Sequence, residues 1–280
     1  MNLILAKEKI KSFLIEDIGT GDLSSDLVFE QTDQGSGFFV AKSDCIVSGS
    51  FVANIVYEIL GANAKYTSKI SDGNFAKKGD IIGVSEGSIR TLLSGERIIL
   101  NLMQRMSAIA SLTNDLKIAL NDPSIKICDT RKTVPGLRIF DKHAVLDGGG
   151  CNHRFGLYDG VMLKDNHIAY AGGIEPAVQK VREKLGHTVK IEVEVETQEQ
   201  VIEAVRANAD IIMFDNRTPD EVREFVKLVP THIVTEISGG ITLENIHSYK
   251  GTGANYISTG MMTHSVIAKD ISFNKSKGIK

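Results

Sequence analysis

VKIEVEVETQEQVIEAVRANADIIMFDNRTPDEVREFV, residues 189–226, decides the fold. Two short apolar runs, VKIEVEV (189–195) and DIIMFD (210–215), read as strands. A polar segment with helical periodicity follows each of them. The helix starts are explicit: Thr197-x-x-Gln200 and Thr218-Pro219-x-Glu221 are capping boxes, the second with proline at the first helical position. Outward from this stretch the same rhythm continues, with strand candidates at IKICD (125–129), DGVMLK (159–164), HIVTEIS (232–238) and NYIST (255–259). A helix is expected over 175–185, ended by Gly186. Strands that alternate with helices imply parallel strands joined by crossovers. Six such units fall short of the eight of a regular barrel. The expected fold is therefore α/β, with an irregular or incomplete α/β barrel.

Residues before this region have a different texture. An amphipathic helix opens the chain, an acidic Gly-containing loop (EDIGTGDLSSD, 16–26) follows, and short strands with glycine turns fill 64–87. This marks an N-terminal mixed α/β sandwich over 1–110, ahead of a barrel-like domain over 111–266. The tail, 267–280, is expected to return to the first domain or to fray. Residues 91–120 read as one long helical segment or two, apolar nearly all round and hence buried. Arg97 is out of place in a buried helix, where a cation needs a partner; an anion reached across an interface is one solution.

The chain has 280 residues and a net charge of -3, so no global field favours nucleic acid or anionic lipid. No window holds the ~20 apolar residues of a bilayer span, and the N-terminus lacks the pattern of a signal peptide. Three cysteines, Cys45, Cys128 and Cys151, form no CxxC pair; the odd count fits a reducing cytoplasm.

The chemistry gathers at the strand ends. The stretch 129–167 holds Arg131, Lys132, Arg138, Lys142, His153, Arg154, Lys164 and His167 beside glycines and a proline. That is the pattern of a pocket for a small, multiply anionic ligand. Glu194 and Asp215 end two neighbouring strands and would face the same pocket, suited to Mg²⁺ held together with substrate oxygens, or to sugar hydroxyls. Ser238-Gly239-Gly240, ahead of an expected helix capped by Thr242, and Thr259-Gly260 ahead of another, suggest a phosphate cradle. His153 and His264 are site candidates. His143, His187, His232 and His247 are assigned to surface or structure.

In order, DTRKT-x-PGLR, GGG-x-NHR-x-GL-x-D, LKDNH, EVEVE, DN, SGG and TG-x-x-THS closely resemble the quinolinate phosphoribosyltransferase family. The resemblance covers most of the chain. It implies phosphoribosyl transfer from phosphoribosyl pyrophosphate to quinolinate with decarboxylation, giving nicotinate mononucleotide, pyrophosphate and CO2 in NAD biosynthesis. It implies Mg²⁺, and a homodimer with shared sites, a hexamer being left open. By motif position, Arg131, His153, Arg154 and Lys164 would hold quinolinate, and Arg97 would come from the partner subunit. Lys132 and Lys164 would border the pyrophosphate, with Thr130 and Thr133 beside them. Glu194 and Asp215 would serve metal and ribose. Ser238, Gly239, Gly240, Thr259, Gly260, Met261 and His264 would cradle the 5′-phosphate side; Lys132, Lys164, Glu194 and Asp215 carry the catalytic expectation. Two rival readings stand beside it. One is a barrel enzyme using Lys164 as a Schiff-base nucleophile on a sugar phosphate. The other is a molybdenum-transport-associated relative that kept the fold.

Overall fold

The computed structural model of the chain describes residues 1–275. The chain divides into two compact units. The first combines Met1–Asn114, Thr133–Gly149 and the tail from Ser265; the second combines Asp115–Lys132 and Gly150–His264. The expected boundary near residue 110 is therefore interrupted, because residues 133–149 go with the first unit.

In the first unit, α1 (Leu3–Ile18) is capped by Asn2, whose side chain accepts from the N–H groups of Ile4 and Leu5. It buries Ala6, Ile10 and Leu14, spaced one turn apart. There follow α2 (Leu23–Val28), β1 (Gln34–Ala41), β2 (Cys45–Ile46), α3 (Phe51–Ile59), β3 (Ala64–Ser68), β4 (Phe75–Ala76) and β5 (Ile81–Ser88). The segment after β5 is one 32-residue helix, α4 (Ile89–Leu120), with Ile99, Met103, Met106 and Ile109 fully buried. Arg97 corrects the expectation of a buried cation, since its turn of α4 leaves it exposed. The excursion 133–149 forms α5 (Arg138–Asp147). Its fully buried Asp141 takes both Nε and Nη2 of Arg105 on α4 at 2.8 Å, a bidentate pair that ties α5 to the long helix.

The tail strand lies in this unit. Ile271–Lys275 pairs antiparallel with β1, and the order of the four-stranded sheet is tail strand, β1, β5, β3. The Phe273 ring lies 4.8 Å from that of Phe39. The lysine-rich end expected beyond it lies outside the described residues.

In the second unit the six expected strands form one parallel sheet: β6 (Lys126–Cys128), β7 (Val161–Leu163), β8 (Ile191–Val195), β9 (Ile211–Asp215), β10 (Val234–Ser238) and β11 (Tyr256–Ser258). Their order is β6-β11-β10-β9-β8-β7, so the first two in sequence lie at opposite edges. Between them run α6 (Asp165–Ala171), α7 (Ile174–Arg182), α8 (Gln198–Arg206) and α9 (Pro219–Val226). The two capping boxes are formed, Thr197 with Gln200 and Thr218 with Glu221. α7 ends at Arg182, earlier than Gly186 suggested. The helices cover one face, as where Phe225 of α9 meets Phe214 of β9 edge-on at 5.7 Å.

Register fixes what the other face carries. Residues paired across parallel strands share a face, and side chains alternate along each strand. The pairings Met162↔Glu192, Glu194↔Met213↔Glu236↔Tyr256 and Asp215↔Ser238 therefore put Glu192, Glu194, Asp215, Glu236 and Ser238 on one side. Ile191, Val193, Ile212, Phe214 and Ile237, all buried, fall on the other.

The tail strand should be an integral part of the first unit. Phe273→Ala is expected to cost about 2 kcal/mol, less than for a fully buried phenylalanine because the ring is half-buried. Urea unfolding checks it; an unchanged midpoint would mean that the tail does not hold the sheet edge.

Candidate active site

The strands of the second unit bring most of the expected residues to one end of the sheet. At the C-terminal ends stand Lys164 after β7, Glu194 in β8, Asp215 closing β9, Ser238 closing β10 and Thr259 after β11. Lys164 Nζ lies 2.7 Å from Glu194 Oε2. The Lys164 N–H donates to Nδ1 of His167 at 3.1 Å, which fixes the start of α6. Asp215 Oδ2 accepts from Asn216 Nδ2 at 2.6 Å. Asn216 has φ 52°, and Gly239 and Gly240 follow β10 with φ 90° and 63°. Gly239 is required twice over: its φ favours glycine, and a Cβ there would lie 2.3 Å from Asn216 Oδ1.

Beyond β11, Thr259 Oγ1 donates to Ile241 O at 2.8 Å and accepts the Met261 N–H at 3.2 Å. Gly260 starts a four-residue helix, α10 (Met261–His264). A Cβ on Gly260 would meet Lys132 Cδ at 2.7 Å and His264 Cδ2 at 2.8 Å, so the missing side chain makes room for the lysine. Thr263 Oγ1 donates to Lys132 O at 2.7 Å, and Lys132 N donates to Thr130 Oγ1 at 3.0 Å. Lys132, Gly260 and His264 are thus one cluster. The helix expected after Ser238-Gly239-Gly240 is not there: Thr242 N donates to Asn245 Oδ1, and only a 3-10 turn, Ile246–Tyr249, follows. The asparagine closes the loop locally in place of a helix N-terminus. Arg97 and Thr133 belong to the first unit; Thr133 Oγ1 accepts from Arg138 Nε at 3.0 Å.

Gly150–Arg154 forms a further element beside β6. Cys151 N donates to Ile127 O at 2.8 Å, and Asp129 N donates to Cys151 O at 3.1 Å, a parallel bridge. Buried Asp129 then accepts the His153 N–H on Oδ1 at 2.9 Å and Asn152 Nδ2 on Oδ2 at 2.6 Å. From there His153 reaches into the concave face. Its Nε2 lies 2.9 Å from Glu192 Oε2 and 3.6 Å from Glu236 Oε1. These carboxylates belong to strands two apart in the sheet, so one atom touching both shows how strongly the sheet curls. Arg154 Nη1 donates to Gly160 O at 2.9 Å, just before β7. Burial and the neighbouring Arg131 guanidinium both hold the Arg154 pKa below its ordinary value, which is the electrostatic state that an anion relieves.

Beneath the strand ends is a cavity of about 330 Å³, lined at the strand starts by Val161, Lys190, Ile211, Val234 and Tyr256, and deeper by His153, Glu192 and Glu236. Burial, and then the Glu192 carboxylate, push the Glu236 carboxyl up to about 7. The sequence reading singled out none of Glu192, Glu236 and Asp129 as a site residue. Strand parity could have found the first two, since Glu192 shares its face with Glu194, and Glu236 with Ser238. Nothing in the sequence marks Asp129 as a clamp.

A curled parallel sheet with cations and carboxylates at its C-terminal edge defines an α/β enzyme for anionic substrates. Residues 109–274 match the quinolinate phosphoribosyl transferase C-terminal domain, and residues 22–107 its N-terminal domain. The chain is 52% identical over 275 residues to the probable nicotinate-nucleotide pyrophosphorylase [carboxylating] of Bacillus subtilis, covering 98% of this chain and 94% of that one. It is 40% identical to the chloroplastic nicotinate-nucleotide pyrophosphorylase [carboxylating] of Arabidopsis thaliana, covering 95% and 81%. The crystal structure of NadC from Streptococcus pyogenes superposes with a TM-score of 0.94 at 36% identity, covering 98% and 97%. The chain belongs to the quinolinate phosphoribosyltransferase family.

The raised Glu236 pKa makes stability depend on pH. The folded state keeps a proton that the unfolded chain gives up above 4.5, so stability falls as pH rises from 4.5 to about 7. The slope is at most one proton, about 1.4 kcal/mol per pH unit. Glu236→Gln should flatten it, as read by thermal melts across that window; parallel melting curves would refute the assignment.

Proposed function

We propose that the chain transfers the phosphoribosyl group of phosphoribosyl pyrophosphate to quinolinate and releases pyrophosphate and CO2, giving nicotinate mononucleotide for NAD biosynthesis. The observation that carries this reading is the strand-end cluster within one unit: Arg131, Lys132, Arg154 and Lys164 as cations, Glu194 and Asp215 as carboxylates, and the loops at Ser238-Gly239-Gly240 and Thr259-Gly260-Met261.

Quinolinate is a dianion, and two guanidiniums within electrostatic range of each other suit its carboxylates. The pyridine nitrogen forms a bond to C1 of the ribose as the bond from C1 to pyrophosphate breaks. Positive charge builds on the ribose, and Glu194 and Asp215 stabilise it. Lys132, packed over Gly260 beside His264, holds the leaving pyrophosphate, while the backbone at Gly239, Gly240 and Gly260 admits the 5′-phosphate. The bond from C2 to its carboxylate then breaks. The electron pair stays at C2 beside the cationic nitrogen, where a proton replaces CO2. The substrate supplies that electron sink, so positioning is the chain's main contribution.

Glu194 and Asp215 fit Mg²⁺ that arrives with the pyrophosphate group. They lie on one face of adjacent strands and, among the described residues, are not part of a group of three or more His, Cys, Asp or Glu close enough to cage an ion. When bound, Mg²⁺ offsets charge on the leaving group. The Schiff-base reading is weaker, because Lys164 is ion-paired to Glu194 and a lysine nucleophile must first lose its proton. The molybdenum-transport-associated reading would require loss of Glu194, Asp215 or Arg154, and all are present. Among the described residues no helix is long and apolar enough to cross a membrane, and the three free cysteines suit a reducing cytoplasm.

The test is product release with quinolinate, phosphoribosyl pyrophosphate and Mg²⁺. CO2 and pyrophosphate should appear in equal amounts, and CO2 should be absent when nicotinate replaces quinolinate. Binding without release would move the chain to a non-catalytic role.

The exposed Arg97 acts in the site of a partner subunit, in a homodimer or a hexamer built from such dimers. Inactive Arg97→Ala and Lys164→Ala chains, mixed, should then recover about half of wild-type activity in the heterodimer fraction, because one of its two sites is intact. Verified heterodimers without activity would place Arg97 outside the shared site.

A further inference from the structure

We propose that Glu192 and Glu236 are positioning residues of the transfer site: from inside the curled sheet they hold His153 as its Nε2–H tautomer, and His153 fixes the main chain that presents Arg154. The proposal rests on the assignment of Arg154 to quinolinate.

The tautomer follows from donors and acceptors. The Arg154 backbone N–H donates to His153 Nδ1 at 2.9 Å. A backbone N–H can only donate, so Nδ1 carries a lone pair and the ring proton sits on Nε2. That Nε2–H points at Glu192 Oε2, 2.9 Å away, with Glu236 Oε1 behind it at 3.6 Å. Both ring nitrogens are thereby engaged within the chain, which gives His153 a supporting part in holding this segment. The side chains of Glu192 and Glu236 are 4% and 5% exposed. The other oxygen of Glu192, Oε1, is buried without a hydrogen-bond partner in the protein, as is Glu236 Oε1. Two desolvated carboxylates aimed at one imidazole are costly unless something compels the arrangement.

The same three residues invite a second reading. Their ligand atoms lie within 4.8 Å of one another, close enough for a metal ion. The second shell argues against it. A histidine that binds metal through Nε2 carries its proton on Nδ1 and donates it to an acceptor. Here Nδ1 faces a donor, so Nε2 offers a proton and no lone pair. The excess charge is met by a proton on the carboxylate pair, consistent with the raised Glu236.

What the cluster holds in place is the Asn152–Arg154 run. Asp129 takes the Asn152 side chain and the His153 N–H, and the His153 ring takes the Arg154 N–H. Three consecutive residues are thus fixed from the interior before Arg154 extends its guanidinium. A misplacement of about 1 Å at such a residue can cost about 100-fold in rate.

The experiment has two parts. In long-range ¹H–¹⁵N spectra of the full chain, the His153 signals, identified by their loss in His153→Gln, should show Nε2 protonated and Nδ1 unprotonated from about pH 6 to about pH 8. An Nδ1–H tautomer, a freely titrating ring, or signals shifted by added zinc would overturn the proposal. In kinetics, Glu192→Met removes the acceptor at similar volume, whereas Glu192→Gln keeps one. The Met variant should raise KM for quinolinate at least about tenfold with KM for phosphoribosyl pyrophosphate within about twofold, and the Gln variant should stay within about threefold for both. Equal effects on both substrates, or a Gln variant as impaired as Met, would indicate a general structural role and overturn it. Arg154→Ala with an unchanged KM for quinolinate would instead sink the assignment of Arg154. The spectra need no substrate and separate the two failures.

Discussion

The structure depends on one constraint: a parallel sheet has two faces, and every side chain must fall on one or the other. In the second unit the outer face takes the apolar residues and the helices. The inner face carries the acids of the strands, and they differ in burial. Glu192 and Glu236 are buried and meet His153. Glu194 and Asp215 are partly open, one beside Lys164 and the other beside Asn216. Within β8, two residues of strand, about 6.6 Å, separate Glu192 from Glu194. The spacing IEVEV writes a buried acid and a partly open one into the same face of one strand.

The missing strands of the barrel follow the same logic. β6 and β7 are the sheet's two edges, and an exposed parallel edge leaves backbone groups without partners. Gly150–Arg154 covers the β6 edge through the Cys128↔Cys151 bridge, and Arg154 reaches the carbonyl of Gly160 before β7. A regular strand here would alternate its side chains in and out. The irregular segment instead presents His153 and Arg154 consecutively, the first to the interior acids and the second toward Arg131. Incompleteness of the barrel is what gives the site its histidine–arginine pair.

The strands and their order of appearance were legible because each is a short apolar run between explicit helix starts, as at Thr197 and Thr218. The strand-end residues were legible for the same reason: once a strand is located, its C-terminal residue is known. The tail's return could be read from its single apolar segment. What escaped depended on contacts remote in sequence. Residues 133–149 look continuous with the strand before them, yet Arg105, 36 positions before Asp141, pairs with it and draws α5 into the first unit. Arg97 lies in a segment apolar nearly all round, and composition alone could not show which turn faces outward. The glycines at 239 and 240 suggested a helix start; their left-handed torsions and the Asn245 side chain instead make a closed turn. Glu192 was hidden in a strand whose other glutamates drew the eye to its end.

The pairing of Lys164 with Glu194 bears on how the charges work together. A lysine ion-paired to a carboxylate is placed to attract an anion and poorly placed to attack a carbonyl. The carboxylate is likewise held in place by the lysine before any substrate arrives. Binding two polyanionic substrates side by side would be self-repelling in a purely basic pocket and unproductive in an acidic one. On the proposed reading, interleaved charges of both signs on the strand ends let the negative leaving group and the positive ribose each find a counterpart a few ångströms apart. Such an arrangement holds only on a scaffold that does not rearrange. The buried cluster beside it, where Asp129, Glu192 and Glu236 secure Asn152–Arg154, is where that rigidity comes from.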